Sequence, residues 1–382
     1  MIPYGRQDVT ADDIAAVVEV LGSDWLTQGP AVERFESAVA AYCGAGHGVA
    51  VNSATSALHI ACMALDVGPG DHVWTSPNTF LASANCALYC GAAIDFVDID
   101  PQTYNMCPRE LAAKLERAAT QGHLPKVVIV VHFAGQSCAM REIHELSVRF
   151  GFRVIEDASH AVGGRYLDSR VGDCRYSDIA VFSFHPVKLI TTAEGGMAMT
   201  RDPLLAQRMM RLRSHGMTRD AVLMDQPSEG PWYYQQIELG YNYRLTDIQA
   251  VLGISQLARL EDYVERRHAI AERYREQLQG LPVRLPHQAG FARSALHLYP
   301  IQIEQAAERR RVFDGLRATG IGVNVHYIPV HTQPYYRAKG FAHGDFPVAE
   351  QYYARAISLP MYPTLASADQ DHVISTLRTL LR

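Results

Sequence analysis

The chain has 382 residues, more than one ordinary hydrophobic core needs, so we expect a large domain and a smaller one. Its composition, 48% apolar and 20% charged, is typical of a soluble globular protein and excludes disorder. A net charge of −5 without a long basic run argues against nucleic-acid binding, and a polar start without roughly 20 consecutive apolar residues predicts a cytoplasmic protein without a membrane span.

The first half of the chain alternates between helix and strand patterns. Residues 54–65 place apolar side chains on one face before Gly68, which predicts a helix and a turn. Residues 139–151 show helical spacing and a closing glycine. Short runs rich in valine and isoleucine predict buried strands at 126–131, 152–157, 178–184 and 195–200. This order indicates a parallel sheet with crossover helices, in which ligands bind beyond the carboxyl ends of the strands.

The second half begins with a change of pattern. Residues 218–236 have no steady period and contain prolines, which predicts a long loop, whereas 245–278 is a long amphipathic segment that could join the two domains. A strand, a helix and another strand are predicted at 297–303, 306–320 and 323–330. We therefore expect a large domain with an N-terminal arm over 1–250 and a small α+β domain over 251–382.

Two residues that follow predicted strands have the chemistry of a cofactor site. Lys188 follows an apolar strand and precedes a glycine pair; in a partly desolvated pocket its neutral amine could form a Schiff base with an aldehyde. Asp157 ends another strand, where a carboxylate could keep a pyridine nitrogen protonated, as sites for pyridoxal 5'-phosphate (PLP) require. Taken singly, Lys188 could be a surface lysine and Asp157 a helix cap. Together they indicate a PLP site.

Three further residues, Thr55, Ser56 and Phe80, suit the same cofactor. Thr55 and Ser56 stand where free backbone amides at a helix start could hold a phosphate, although helix capping by Ser53 or Thr55 explains the same pattern. Phe80 follows a predicted strand and could stack on a flat ring or belong to the core. Asn242 is a polar residue among aromatic ones, and nothing nearby indicates what it binds.

The cysteines and histidines favour no metal site. None of the seven cysteines forms a Cys-x-x-Cys pair, and Cys86 and Cys90 are one helical turn apart beside apolar residues, which predicts helix core. The 16 histidines include no His-Glu-x-x-His motif. We expect no bound metal.

A series of segments resembles the DegT/DnrJ/EryC1/StrS family of sugar aminotransferases, which are PLP enzymes of fold type I. The segments follow the family order nearly from end to end: WLTQGP (25–30), NSATSALH (52–59), DASHA (157–161), FSFHPVKLITTAEGG (182–196), RSHGM (213–217), GYNYRLTDIQA (240–250), HLYPI (297–301), VHYIP (325–329) and ISLP (357–360). The resemblance implies an α/β fold, with a mostly parallel central sheet flanked by helices in the large domain and a small α+β C-terminal domain. DASHA, the lysine segment and RSHGM are most similar to the transaminases of pseudaminic acid biosynthesis, which make UDP-4-amino-4,6-dideoxy-N-acetyl-beta-L-altrosamine.

The resemblance also implies roles for individual residues. Lys188 would form the imine with PLP, Asp157 would pair with the ring nitrogen, and Phe80 would stack on the ring. His160, where many relatives have glutamine, would contact the phenolic oxygen. Asn242 would reach the phosphate bound by a neighbouring subunit, so that a homodimer is the catalytic unit. The phosphate ligands would be Thr55, Ser56 and Ser183, and the sugar pocket would include Trp232, His326 and Tyr327.

The implied reaction moves an amino group from an amino acid, glutamate by resemblance, to C4 of a UDP-linked 4-keto-6-deoxy-N-acetylhexosamine. His326 could equally be a strand histidine with satisfied hydrogen bonds. Another nucleotide-linked keto sugar is an alternative substrate. A PLP-dependent sugar dehydratase would have a histidine at the position of Lys188, and a non-catalytic cofactor-binding regulator would not need Lys188 and Asp157 intact.

Overall fold

All 382 residues are described by a computed structural model. The helices are α1 (Ala11–Leu21), α2 (Pro30–Cys43), α3 (Ala54–Ala64), α4 (Ala82–Tyr89), α5 (Pro108–Gln121), α6 (Met140–Phe150), α7 (Pro203–Leu212), α8 (Asp247–Leu257), α9 (Leu260–Gln277), α10 (Arg309–Ala318), α11 (Pro334–Arg337), α12 (Pro347–Arg355) and α13 (Ser367–Leu380). The strands are β1 (His47–Val51), β2 (His72–Thr75), β3 (Ala93–Phe96), β4 (Val127–Val131), β5 (Arg153–Asp157), β6 (Arg165–Tyr166), β7 (Ser169–Arg170), β8 (Ile179–Ser183), β9 (Gly196–Thr200), β10 (Met217–Thr218), β11 (Gln235–Gln236), β12 (Val283–Arg284), β13 (Ala292–Arg293), β14 (Tyr299–Ile303) and β15 (Ala356–Leu359). None of the helices combines the length and the apolar character needed to cross a membrane.

The central sheet has seven strands in the order β1-β9-β8-β5-β4-β2-β3. Strands β8, β5, β4, β2 and β3 run parallel, whereas β9 is antiparallel to both of its neighbours. The expected mostly parallel sheet is confirmed, and all four strands predicted from valine-rich runs belong to it. Register places Val131, Asp157 and Val181 side by side, so the carboxyl ends of β4, β5 and β8 meet at one edge.

Both faces of this sheet are covered, which explains its continuous apolar runs. Alternate residues of β4 enter different cores: Val127 and Ile129 pack in the cluster that contains α3, while Val128 and Val130 pack in the cluster that contains α5 and α6. The helices predicted over 54–65 and 139–151 are α3 and α6. Each therefore seals one face and leaves the strand ends as the open edge.

The amphipathic segment predicted over 245–278 forms two helices, α8 and α9. At the break between them, Arg259 donates hydrogen bonds to both carboxylate oxygens of the buried Asp13, at 2.8 and 2.6 Å, which ties α9 to α1. Helix α9 then changes partners along its length: Val264 packs in a core shared with α2 and α8, whereas Ile270 packs in the core of β14 and β15. The change lies C-terminal to residue 250, where the domain boundary was predicted.

The small domain holds a three-stranded antiparallel sheet in the order β12-β14-β15, packed against α10 and α13. The predicted strand at 297–303 and helix at 306–320 are present as β14 and α10. The strand predicted over 323–330 is wrong: this segment is irregular and pairs with β15 only through one isolated bridge, between Asn324 and Ser358. Pro329 has no N–H to continue a ladder, and a short 3-10 turn follows it.

Candidate active site

A cavity of about 580 Å³ opens beyond the carboxyl ends of β4, β5 and β8. Its lining includes Val131, Asp157 and Ser183, the last residues of these three strands. The beginning of α3 and the turn after β2 add a second side. Polar groups from separate parts of the sequence therefore converge at the edge where a parallel sheet binds its ligands.

Lys188 projects from the turn that follows β8. The turn is held by a hydrogen bond from the Lys188 amide to the carbonyl of His185, at 2.9 Å, and by the Thr191 hydroxyl, which donates to the Phe184 carbonyl at 2.9 Å. The Lys188 ammonium group makes no hydrogen bond or ion pair within the chain. Burial lowers the pKa of Lys188 to about 8, against the opposing attraction of the Asp157 carboxylate. An amine of this kind is partly neutral near pH 8 and can act as a nucleophile or a base.

Asp157 is buried and held at both carboxylate oxygens. The Ser83 hydroxyl donates to Oδ2 at 2.6 Å, and the Ser159 amide donates to Oδ1 at 3.1 Å. Ser83 is itself hydrogen-bonded to the hydroxyl of Thr79 at 2.7 Å. These contacts fix the carboxylate at the floor of the cavity, where it could face a cationic ring nitrogen.

The start of α3 forms an anion cradle with Ser53 as its cap. The Ser53 hydroxyl accepts from the amide of Ser56 at 3.1 Å, and the Ser56 hydroxyl donates to the side chain of Asn52 at 2.7 Å. Ser56 is buried and does not line the cavity, whereas Thr55 and Ser183 do, and neither of their hydroxyls is used by a hydrogen bond within the chain.

The glycine pair after the lysine turn makes room for this cradle. A Cβ added to Gly196 would lie 2.5 Å from the backbone nitrogen of Ala54, so only glycine lets β9 pass so close to the first turn of α3. This close approach brings the lysine turn and the helix start to the same cavity. The helix start keeps backbone amides that no helical carbonyl can accept from, which is the requirement for phosphate binding.

Three neutral histidines and a tyrosine form the opposite side. His160 is buried; its Nε2 lies 3.0 Å from the Tyr327 hydroxyl, and its Nδ1 has no partner. His297 lies beside it, with ring centroids 4.4 Å apart. His326 is bound through Nδ1 to the Ser358 hydroxyl at 2.8 Å. Burial and the nearby charge of Lys188 lower the pKa of all three histidines. For His297 the neighbouring His160 adds to the effect, and for His326 the pKa falls to about 3.

His297 was not singled out from the sequence. It lies within a segment predicted as a strand, and its only signal is membership of HLYPI among the family-like segments. The structure puts it just before β14, in the lining of the cavity. A histidine in an apolar run is a candidate for a ligand-binding role, because its buried ring nitrogens need hydrogen-bond partners.

The remaining positions differ in their distance from the cavity. Phe80 lines it and is 60% exposed, with its ring 6.3 Å from that of Tyr327, so it is not a core residue. Trp232 lies outside the lining and is 69% exposed in the loop between β10 and β11. Asn242 is also outside; its backbone bridges to Ser214, and its exposed side chain makes no hydrogen bond within the chain.

These groups fit PLP. The cavity supplies an unpaired amine at Lys188, a fixed carboxylate at Asp157 and a helix start with free hydroxyls at Thr55 and Ser183. A buried imidazole nitrogen of His160 is unpartnered, and a bound polar group would satisfy it. When bound, PLP supplies the electron sink that the protein side chains lack.

The sequence profile of the DegT/DnrJ/EryC1/StrS aminotransferase family matches residues 7–378. The chain belongs to this family. It is 41% identical to the spore coat polysaccharide biosynthesis protein SpsC of Bacillus subtilis, over 100% of this chain and 97% of that protein. Among solved structures, Spr1654 from Streptococcus pneumoniae, described as a sugar aminotransferase, in its PMP form, has a TM-score of 0.91 at 31% identity and covers 100% of this chain and 99% of its own.

A second solved structure is equally similar. Helicobacter pylori PseC, an aminotransferase involved in the biosynthesis of pseudoaminic acid, has a TM-score of 0.91 at 30% identity over 100% of this chain and 99% of its own. The expected fold type, the PLP cofactor and the transaminase class are confirmed by these comparisons. The protein is a PLP-dependent sugar aminotransferase.

Proposed function

We propose that the enzyme moves an amino group from glutamate to C4 of a UDP-linked 4-keto-6-deoxy-N-acetylhexosamine, in pseudaminic acid biosynthesis. The observation that carries an amino-transfer function is the unpaired Lys188 amine beside the fixed Asp157 carboxylate in one cavity. The choice of sugar is supported by the likeness to PseC over the whole chain.

Lys188 is the proton carrier of this proposal. Lys188 would hold PLP through its amine and, with that amine free, would take a proton from the carbon next to the donor's nitrogen and later return it. In the second half-reaction Lys188 moves a proton in the reverse direction as the sugar receives nitrogen. Its lowered pKa, about 8, suits both tasks because base and conjugate acid coexist near neutral pH.

The other residues bind and orient. Asp157, fixed by Ser83, would hold the ring nitrogen protonated, and Phe80 would cover the ring. Thr55 and Ser183 would bind the phosphate with the amides at the start of α3. Ser56 would contribute through its position in the first turn of α3, since its hydroxyl is bound to Asn52.

The sugar would lie against the side formed by His326 and Tyr327, both of which line the cavity. Ser358 orients the neutral His326 ring through Nδ1. The other nitrogen, Nε2, lies 3.4 Å from the side-chain nitrogen of Asn324 and would be the one to meet a sugar hydroxyl. Trp232 lies outside this cavity, so its proposed sugar contact requires the loop that carries it to serve a neighbouring subunit's site.

A panel of UDP-, dTDP- and GDP-linked 4-keto sugars, each offered with glutamate, tests the proposal. We expect an amino sugar with nitrogen at C4 from UDP-linked N-acetylated substrates, detected by mass spectrometry and NMR. The Lys188→Ala protein, assayed under the same conditions, is the negative control. Reaction with dTDP sugars alone would overturn the choice of nucleotide, and a deoxygenated product without nitrogen would overturn aminotransfer in favour of the dehydratase.

A second candidate is amination of a different nucleotide-linked keto sugar. It is favoured by SpsC, which is named for spore coat polysaccharide biosynthesis and shares 41% of its residues with this chain, against 30% for PseC. The same panel separates the two candidates, because a keto sugar other than the UDP-linked N-acetylated one would then be aminated best.

We further propose a homodimer in which Asn242 reaches the phosphate bound by the other subunit. The proposal is supported by the Asn242 side chain, which is exposed and unpaired although its backbone is fixed to Ser214. Mixing inactive Lys188→Ala and Asn242→Ala subunits should restore about one quarter of the sites. Random pairing makes half of the dimers mixed, and in each mixed dimer one of the two sites contains both native residues. No recovery after confirmed subunit exchange would contradict a shared site.

A further inference from the structure

The first residues of the chain pair with the small domain. We call residues 2–5 the arm. The Ile2 amide donates to the Gly320 carbonyl at 2.8 Å, and the Gly322 amide donates to the Ile2 carbonyl at 2.6 Å. The Ile2 side chain packs against the core of β14 and β15. These contacts fix the arm beside the segment that leads from α10 to His326.

The arm brings Tyr4 to the cavity. The Tyr4 carbonyl accepts from the Met361 amide at 3.0 Å, and the Tyr4 side chain belongs to the cavity lining. Its ring lies beside that of His326, with the ring centroids 5.5 Å apart and the planes tilted by 51°. Tyr4 is only partly buried, whereas Asp157 at the floor is buried, so Tyr4 lies nearer to solvent.

The polar groups around the Tyr4 hydroxyl are uncharged. Burial raises the pKa of Tyr4, against the opposing effect of a hydrogen bond from the Asn324 side chain, so the phenol keeps its proton near neutral pH. Because Asn324 supplies the donor of that bond, the Tyr4 proton has no acceptor within the chain. The Asn324 side-chain nitrogen also lies 3.4 Å from Nε2 of the neutral His326. These three side chains form a row of neutral hydrogen-bonding groups.

Neutral groups of this kind suit a sugar ring better than the anionic parts of the two substrates. The carboxylates of glutamate and the diphosphate of a nucleotide bind best to cationic side chains or to free helix amides. Sugar hydroxyls, by contrast, exchange hydrogen bonds with neutral side chains in a partly apolar pocket. Size favours the same choice, because glutamate extends only a few atoms from the carbon that reacts, whereas a nucleotide sugar reaches the more open part of the cavity.

We infer that Tyr4 is a specificity-determining residue, whose hydroxyl donates a hydrogen bond to the sugar of the nucleotide-linked substrate and makes no contact with glutamate. The inference rests on the proposed function for the class of substrate. It adds to His326 and Tyr327 a residue from the opposite end of the chain. Because the arm is fixed to the small domain, the sugar contact also depends on the arm staying in place.

The two half-reactions test this assignment separately. Glutamate alone drives the first and the keto sugar drives the second, and the absorbance of the bound cofactor records each one. Tyr4→Phe keeps the ring and removes the hydroxyl, so the sugar half-reaction should slow by roughly twofold to tenfold at low sugar concentration while the glutamate half-reaction keeps its rate. Tyr335→Phe, an exposed tyrosine outside the cavity, should change neither. Equal slowing of both half-reactions by Tyr4→Phe, or no slowing of the second, would overturn the inference.

Binding without turnover gives a second readout. UDP-N-acetylglucosamine has no ketone to accept the amino group, so calorimetry with the PLP-loaded protein measures its Kd directly. Tyr4→Phe should raise this Kd by a similar factor and leave the Kd of UDP unchanged. Equal binding of the sugar nucleotide to both proteins, or a higher Kd for UDP as well, would overturn the assignment. Failure of the proposed nucleotide is distinguishable, because UDP would not bind the native protein, and the half-reactions with the keto sugar that the panel identifies would still test Tyr4.

Gly322→Ala tests the arm from outside the cavity. A Cβ at this position would lie 2.8 Å from the Ile2 carbonyl oxygen and 3.2 Å from both the Pro3 Cα and the Tyr4 amide nitrogen, so the arm must move. We expect a slower sugar half-reaction and no further effect of Tyr4→Phe in this background, since Tyr4 would no longer be held at the sugar. In Gly290→Ala, where an added Cβ meets nothing within 4 Å, Tyr4→Phe should have its full effect. An equally large effect of Tyr4→Phe in the Gly322→Ala background would overturn the role of the arm.

Discussion

The cavity has two walls that are built by different means. We call Asp157, Ser183 and Lys188 the strand-end wall, and His297 with residues 324–327 the far wall. The strand-end wall is set by backbone register, since Asp157 pairs with Val131 on one side and Val181 on the other. The far wall follows no ladder and depends on side-chain contacts. The residues proposed for the chemistry thus lie on the wall that the register of the sheet positions.

The contacts of the far wall connect it to distant elements. The Tyr352 hydroxyl donates to the carbonyl of His326 at 3.0 Å, and the Ser358 hydroxyl contacts the ring of the same residue at 2.8 Å. The Tyr327 amide donates to the side chain of Asn78, at 3.4 Å, in the turn after β2. Each contact is a single hydrogen bond between side chain and backbone or between side chains, so substitutions can alter this wall one contact at a time.

The largest effect should come from Lys188→Ala on the strand-end wall. Turnover should fall below detection, and reduction of the PLP-loaded protein with borohydride should no longer label the chain, because no other lysine lies in the cavity. Peptide mass spectrometry checks the labelled position. Lys339→Ala, which removes an exposed lysine, is the control and should retain both labelling and activity. Label on another lysine would contradict the assignment of Lys188 as the residue that binds PLP.

Gly196→Ala should disturb the same wall through its backbone. The added Cβ would lie 2.5 Å from the nitrogen of Ala54, and relieving that clash should cost about 1–3 kcal/mol. If the strain falls on the phosphate cradle, PLP affinity should drop by roughly fivefold to 150-fold. Equilibrium titration of cofactor-free protein measures it. Gly68→Ala, where an added Cβ meets nothing within 4 Å, should bind PLP normally. Equal affinity in both variants would mean that the close approach is unimportant.

The strand-end wall was predictable because its signals are local. A valine-rich run that ends in Asp157, and another that leads to Lys188, are visible in the sequence since parallel strands buried on both faces require such runs. The antiparallel direction of β9 was not predictable from its composition, because strand direction depends on which neighbours it pairs with.

The far wall was less predictable for a physical reason. Residues 323–326 alternate apolar and polar side chains as a strand would, yet in the fold this segment pairs with β15 at a single bridge. Its other contacts are with the cavity and the turn after β2. Such a segment gets its shape from tertiary contacts, which leave no periodic mark. The interaction of Tyr327 with His160 joins residues 167 positions apart, so only the fold could reveal it.

The pH dependence of PLP capture should distinguish the titrating groups of the two walls. Capture needs the neutral Lys188 amine, whose pKa is lowered to about 8 by burial, so the rate should rise with pH and level off above pH 9. Between pH 7 and pH 9 the neutral fraction grows roughly tenfold. Stopped-flow absorbance measures the rate, with N-acetyl-lysine in parallel to correct for ionisation of the cofactor.

The far wall should be silent in this titration. The lowered pKa values of His297 and His326, and of His160 beside them, keep all three neutral over the whole range, so we expect one transition only. An added inflection near pH 6.5 would mean that one of them carries a proton in the native protein. A single transition near pH 10.5 would mean that Lys188 is more solvated than its surroundings in the fold imply.

The smallest effects should come from the hydroxyl groups behind Asp157, of which Ser83 is the nearer. Ser83→Ala weakens the support of the strand-end wall without touching Lys188. The variant removes the 2.6 Å hydrogen bond to Oδ2 of Asp157 but leaves the bond from the Ser159 amide to Oδ1, so the carboxylate stays in place with less restraint. Loss of one such bond should cost about 1 kcal/mol, roughly fivefold in kcat/KM. Thr79→Val, one hydrogen bond further from the carboxylate, should have a smaller effect still. A larger loss of kcat/KM in Thr79→Val than in Ser83→Ala would contradict this order. It would mean that the two hydroxyls stabilise the turn after β2, and that Asp157 is held by the register of the sheet alone.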